Sequence, residues 1–291
     1  AWRRLESQGI IVRDWHIDEK TGRLAADELD ALITPRTKLI AFPHASNVIA
    51  HINPVREIAA KAHKAGAIVA VDGVSYAPHG LPDIAQLDAD IYLFSLYKTW
   101  GPHLGAMFVK RALMKQMTNQ SHYYNGDEAH YCLTPAGPDH AQIAAAAGVA
   151  EYLDVVYAHH FDDDPESAVK GRRLHQLFSD YESSLLTPLL DFLKARNDVF
   201  IVGPDDAGIR ASTVSILPLD KPVPAVVAEL EKQKLMVASG DFDGVRQLDD
   251  MKIDSDPGVI RMSLLHYTTR DEIDQLIRGL TIALGKVATC L

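Results

Sequence analysis

Cysteine is nearly absent from this chain: among 291 residues only Cys132 and Cys290 occur. They stand far apart and outside any metal-ligand spacing, which excludes a disulfide framework or a zinc knuckle and fits a reducing, cytoplasmic compartment. Basic residues are also in deficit. With 29 Lys and Arg against 39 Asp and Glu, the formal net charge is −10, a balance opposed to non-specific nucleic-acid binding, which draws on counterion release at a basic face. No apolar run approaches the ~18 residues of a membrane span, and the arginines of AWRRLESQGIIVRD are not followed by the apolar segment of an export signal. Nucleic acid and membrane are therefore not expected partners. Also missing are a G-x-G-x-x-G turn after a strand, a Walker lysine loop, a G-x-S-x-G elbow and an H-E-x-x-H helix. Nicotinamide, nucleotide, serine-hydrolase and zincin chemistry thus lack their signatures.

What is present is material for a core: the chain is 47% hydrophobic and 23% charged, which excludes disordered and collagen-like classes. Short apolar runs at residues 9–13, 38–42, 67–71, 91–95 and 105–109 alternate with amphipathic segments, the pattern of an α/β domain with a mostly parallel sheet. One helix is well signposted, with Asn53 as N-cap, Pro54 in the first position and Gly66 as the left-handed stop. After residue 140 an alanine-rich helix and a charged helical stretch lead to strand-like runs at 199–202, 211–217 and 259–264. Helices are expected at 224–233 and 271–284, the last opening on a Thr269–Glu272 capping box. This predicts a large α/β domain over residues 1–160, followed over 161–291 by a linking helix and a small α+β domain. The His159, His160, Asp162, Asp163 and Asp164 cluster reads as a solvated helix end, because adjacent helical residues point about 100° apart.

The informative stretch is AIVAVDGVSYAPHGLPDIAQLDADIYLFSLYKTWGPHLGAMFVK, residues 67–110. Asp72 follows an apolar strand and precedes a glycine, so it falls at the carboxyl end of a strand, where open α/β sheets place ligands. Lys98 follows the next strand in the same way. A partly desolvated lysine there can attack a carbonyl, and a neighbouring carboxylate can keep a heteroaromatic nitrogen protonated. Those are two needs of pyridoxal phosphate chemistry. From spacing alone, an Asp72–Lys98 ion pair at the sheet edge is an equal alternative.

Three ordered blocks decide the reading: HASNVIAHINPVREIAAKAHKAGAIVAVDGVSYAPHG, ADIYLFSLYKTWGPHLGAMFVKR and VIRMSLLHYTTRDEIDQLIRGL. With them the chain resembles the class V aminotransferases of the fold-type I pyridoxal 5′-phosphate enzymes, and within these the cysteine-desulfurase-like group. The resemblance implies that fold, an amino-acid substrate, a homodimer, and a Schiff base on Lys98. It implies Asp72 on the pyridine nitrogen, and Ser95 and Tyr97 near the cofactor phosphate, Tyr97 standing where the family often has histidine. It further implies Asn47 at the cofactor and substrate carboxylate, Ser75 at the position of a common ring-contacting glutamine, His79 at a family histidine, and Arg261 on the substrate α-carboxylate, a bidentate task suited to guanidinium. His44 and His51 flank the Asn47 loop. His122, Tyr123, Tyr124 and His140 belong to a segment that in this group approaches the partner subunit.

Two departures from the family pattern stand out. Sulfur-mobilising members need a loop cysteine before the last strand, because a thiolate attacks the substrate's sulfur; here that loop reads ASGDFDGVRQ, so persulfide-forming activity is not expected. The resemblance also places AWRRLESQGIIVRD well inside the family's large domain, beyond the segment with the phosphate-cradling helix start and the ring-stacking side chain. That part of the family fold is expected to be missing. The expectation is a pyridoxal-phosphate transferase or lyase whose reaction is left open among transamination, racemisation, β-elimination and C–S cleavage. Its alternative is a catalytically silent relative or fragment acting as a folded partner-binding subunit.

Overall fold

The computed structural model describes residues 2–126, 128–134 and 137–285. Its first half contains α1 (Ala26–Leu32), β1 (Leu39–Pro43), α2 (Val55–Lys64), β2 (Ile68–Asp72), α3 (Ile84–Leu87), β3 (Ile91–Ser95), β4 (Gly105–Val109) and α4 (Arg111–Met114). These strands form one four-stranded sheet in the order β1-β2-β3-β4, with β1, β2 and β3 parallel and β4 antiparallel. The crossover from β1 to β2 is α2, whose Val55, Ile58, Ala59 and Ala62 recur at helical spacing. They bury against Ile40, Phe42, Val69 and Val71 of the sheet.

Three helices follow, α5 (His140–Ala145), α6 (Ala147–His160) and α7 (Ser167–Lys194). With 28 residues α7 is about 42 Å long. Beyond it lie β5 (Val199–Val202), β6 (Thr213–Pro218), α8 (Val223–Lys232), β7 (Ala238–Gly240), α9 (Val245–Asp250), β8 (Val259–Ser263) and α10 (Arg270–Leu284). This second sheet has the order β5-β6-β8-β7 and is antiparallel throughout. Leu185, Leu186, Leu189, Leu190 and Leu193 of α7 pack with Val226 and Leu230 of α8 and Ile273, Leu276 and Leu280 of α10 in the core behind it. A smaller cluster joins Val48 and Ile49 of the first half to Val202, Leu248 and Val259 of the second. Among the described residues no helix is long and apolar enough to cross a membrane.

Several expectations hold in detail. Gly66 takes the left-handed conformation, φ 75°, and the Thr269–Glu272 capping box is formed in both directions. His159, His160, Asp162, Asp163 and Asp164 are exposed, with Asp163 on Arg173 and Asp164 on Lys170. Others are corrected. Residues 9–13 are not a strand: among the described residues no strand pairs with them, the Gly9 and Ile10 N–H groups bonding back to Glu6 and Leu5 instead, and Ile10 and Ile11 are 53% and 66% exposed. An apolar run alone cannot supply the ladder partner that a strand needs. Asn53 does not cap α2; its side-chain amide donates instead to the Pro43 carbonyl at 2.8 Å, tying the loop after β1 back to the strand end. The expected loop before the last strand begins with a short strand of its own, β7, which pairs with β8.

Packing is tight under the end of β2. Tyr92 of β3 is fully buried and lies against Gly73, where a Cβ would collide with its ring. Its hydroxyl shares a 2.9 Å hydrogen bond with His44, so the ring cannot swing aside cheaply. Gly73→Ala is expected to destabilise the chain by about 1–3 kcal/mol, the usual cost of overpacking. Urea denaturation checks this; an unchanged midpoint would mean that Tyr92 yields.

Candidate active site

Parallel register sets the site. Pro43 pairs with Asp72, and Asp72 with Leu93, so the carboxyl ends of three strands stand side by side. The loops leaving these ends enclose a cavity of about 550 Å³ lined by Pro43, Ser46, Asn47, Asp72, Ser75, Leu93, Lys98, Phe242, Asp243 and Gln247, among others. Four of the residues singled out from sequence, Asn47, Asp72, Ser75 and Lys98, therefore meet in one wall. A larger cavity of about 1110 Å³ runs along residues 9–17 and contains none of them, so the chemistry points to the smaller one.

Each side chain is positioned by short-range structure. Asp72 is the last residue of β2; one carboxylate oxygen accepts the Val74 N–H at 2.9 Å, and its carbonyl accepts the His44 N–H at 2.7 Å. Lys98 ends a tight 3-10 turn, Leu96–Lys98, whose Leu96 carbonyl accepts from the Thr99 and Gly101 N–H groups, both at 2.8 Å. The buried Thr99 hydroxyl adds bonds to the Ser95 and Leu96 carbonyls. Lys98 is exposed rather than desolvated as its strand-end position suggested, because the turn lifts it beyond the sheet. Among the described residues Lys98 makes no ion pair or hydrogen bond, and the Asp72–Lys98 pair that spacing allowed does not form.

Arg261, on β8, stands just behind the wall. Its guanidinium lies 3.9 Å from the Phe242 ring centroid and donates to the Asn47 carbonyl at 3.2 Å. No carboxylate pairs with it among the described residues, and burial pulls its pKa below the usual arginine value. A half-buried guanidinium with spare donors is suited to an anionic ligand. Asn47 also donates from its side chain to the Phe242 carbonyl at 2.7 Å.

The remaining predicted residues are not in the wall. Ser95 closes β3 opposite Gly105. Tyr97 is 48% exposed and stacks on His103 with centroids 4.7 Å apart. His79 bonds through Nδ1 to Glu182 at 2.7 Å, and the buried Glu182 also accepts from Ser212. His44 is buried between Tyr92 and the stacked ring of Tyr76. His51 bonds Asn53. Cys132 is buried away from the cavity with its thiol toward the Met117 and Thr118 carbonyls, and Cys290 lies outside the described residues. Sequence reasoning missed Phe242, Asp243 and Gln247. In sequence the loop stands out only for its lack of cysteine; the acidic and aromatic side chains of GDFDG hint at a binding loop, but nothing in their spacing places them at this cavity.

A profile of the family described as "Aminotransferase class-V" matches residues 1–276. The aminotransferase-like protein FGM3 of Gibberella zeae is 31% identical over 271 residues, covering 92% of this chain and 64% of that protein. The cysteine desulfurase-like protein ustD of Aspergillus flavus is 29% identical, covering 94% of this chain and 62% of the relative. The chain thus spans less than two thirds of the length of these curated relatives. Among solved structures, the cysteine desulfurase CsdA of Escherichia coli superposes with a TM-score of 0.79 at 23% identity, over 97% of this chain and 68% of that one. The fold is the fold-type I α/β architecture that the sequence suggested.

Burial lowers the His44 pKa to about 3, with His175 adding like-charge repulsion. The unfolded chain takes up a proton below its ordinary value near 6.5, whereas the folded chain does not until about 3. Stability is therefore full above that ordinary value and falls as pH drops through the window, at up to about 1.4 kcal/mol per pH unit. His51 and His266, both lowered by burial, act in the same direction. Urea midpoints measured from neutral to mildly acidic pH should fall steeply in wild type and less steeply in His44→Gln; identical slopes would rule His44 out as a source.

Proposed function

The chain belongs to the class-V aminotransferase family, and from that premise we propose that it is a pyridoxal 5′-phosphate-dependent enzyme acting on an amino acid through Lys98, as a homodimer in the cytoplasm. The observation that carries this reading is that Lys98 and Asp72 line one cavity without neutralising each other. An ion pair would satisfy both groups and leave neither for a ligand. Apart, they offer an amine and a carboxylate with one oxygen bonded only to a backbone N–H, a donor set that fits the aldehyde and the ring nitrogen of the cofactor. When bound, the cofactor supplies a carbonyl carbon that amines attack and an electron-withdrawing ring that accepts charge from the substrate's α-carbon.

The chain's own residues do the rest. Lys98 would hold the cofactor through its ε-amine, and the same amine is the group to move a proton at the substrate's α-carbon. Asp72 would keep the pyridine nitrogen protonated. Arg261 binds the α-carboxylate, and its unpaired state and fixed plane support that role. Asn47 and Ser75 supply polar contacts from the cavity wall. The hydroxyls of Ser95 and Tyr97 are assigned to the phosphate, and His79, tied to Glu182, braces the loop after Asp72 from outside the wall. With Cys132 buried elsewhere and no cysteine in residues 238–247, we do not assign persulfide formation to this chain.

The test is addition of pyridoxal 5′-phosphate followed by borohydride reduction and peptide mapping. A visible absorbance band and a pyridoxyl label on the Lys98 peptide are expected in wild type, with neither in Lys98→Ala. A label elsewhere, or none, would overturn the proposal. Arg261→Ala should raise the KM for amino acids about tenfold or more while the label persists, as loss of a charged, two-point contact requires.

A further inference from the structure

Residues 241–244, between β7 and α9, follow an unusual path. Phe242 and Asp243 both adopt left-handed backbone, φ 52° and 61°, a conformation that side chains other than glycine seldom take. Three contacts hold it. The Asn47 amide donates to the Phe242 carbonyl at 2.7 Å, the Asp243 N–H donates to the Asp241 carboxylate at 3.0 Å, and the Phe242 ring stacks on Arg261. Asp tolerates this backbone, but a phenylalanine in it is strained and persists only where its surroundings over-determine it, as at ligand clamps. The result here is that Phe242 and Asp243 both enter the wall of the cavity that holds Lys98 and Asp72.

The charges of that wall are uneven. Its charged side chains are Asp72, Asp243 and Lys98, and Asp243 has no side-chain hydrogen bond or ion pair among the described residues. In the proposed function the Lys98 amine is engaged and Asp72 is matched to the ring nitrogen, so Asp243 remains as the uncompensated charge. Asp243 is exposed at the cavity's mouth, where a carboxylate attracts an opposite charge and repels a like one, more weakly than a buried group would.

We propose that Asp243 selects the substrate's side chain, favouring amino acids that end in an ammonium group and turning away acidic ones, while Phe242 fixes the guanidinium that takes the α-carboxylate. This rests on the assignment of Lys98 to the cofactor and of Arg261 to the α-carboxylate. It adds a specificity-determining pair in the loop where the cysteine-desulfurase-like group would need a cysteine.

The test uses the whole chain loaded with pyridoxal 5′-phosphate and three ligands of matched length: L-ornithine, L-norvaline and L-glutamate. Dissociation constants are read from titration of the visible band and from calorimetry. Wild type should bind ornithine about tenfold or more tightly than norvaline, and glutamate more weakly than norvaline. Asp243→Asn removes the charge with a residue that tolerates the same backbone, and should bring the ornithine-to-norvaline ratio to within about threefold of unity. Asp243→Lys should place glutamate ahead of ornithine. Equal affinities in wild type, or a ratio unchanged in Asp243→Asn, would overturn the proposal, and the wild-type ratio decides even if a variant fails to fold. Absence of the pyridoxyl label at Lys98 would instead sink the functional reading, whereas a label with flat selectivity sinks the role of Asp243 alone.

Discussion

The site depends on the parallel register that sets Pro43, Asp72 and Leu93 abreast. That register is held by apolar burial: Val69 and Val71 are fully buried, and α2 covers their face of the sheet with Val55, Ile58, Ala59 and Ala62. A slip of one residue would turn this apolar set to the opposite face and carry Asp72 out of line with the turn that ends at Lys98. The hydrophobic core thus fixes the relation of the two charged groups more firmly than they fix each other. Because they do not bond directly, both stay available to a ligand.

Behind the cavity lies a second layer of constraint, made of buried polar groups. His44 joins Tyr92 through its ring and Asp72 through its backbone N–H, and stacks on Tyr76, which in turn reaches His175 of α7. Glu182, 2% exposed on the same helix, binds His79 from the loop after β2 and Ser212 from the stretch before β6. Trp100, two residues past Lys98, packs with centroids 4.8 Å from His266, which shares a hydrogen bond with Tyr152. These contacts link the long helix to the first sheet's loops and to the segments flanking β6 and β8. Removing one partner from such a network leaves another buried and unsatisfied, which makes the loops around Asp72 and Lys98 costly to displace.

Much of this was legible in the sequence, for identifiable reasons. The strands β1 to β4 and the helices α2, α8 and α10 announce themselves through periodicity and caps, and the same apolar runs place Asp72 and Lys98 at neighbouring strand ends. Residues 9–13 misled because apolar runs do not reveal whether a pairing partner exists. Asn53 misled because a side-chain amide that can cap a helix can equally bond a nearby carbonyl. Phe242 and Asp243 could not be read at all from spacing. Their place in the cavity comes from contacts with Asn47 and Arg261, residues distant in sequence and brought together by tertiary packing. The stacked guanidinium, too, is a fact of three dimensions.

The proposed function turns on Asp72, which forms no pair with Lys98, keeping a bound pyridine ring protonated. Nitrogen-15 NMR of the chain loaded with ring-labelled pyridoxal 5′-phosphate measures this directly, since the shift of the ring nitrogen separates the protonated from the neutral form. The account predicts a protonated signal in wild type at neutral pH that moves to the neutral position in Asp72→Asn. A neutral ring in wild type, or a protonated signal that survives the substitution, would contradict it.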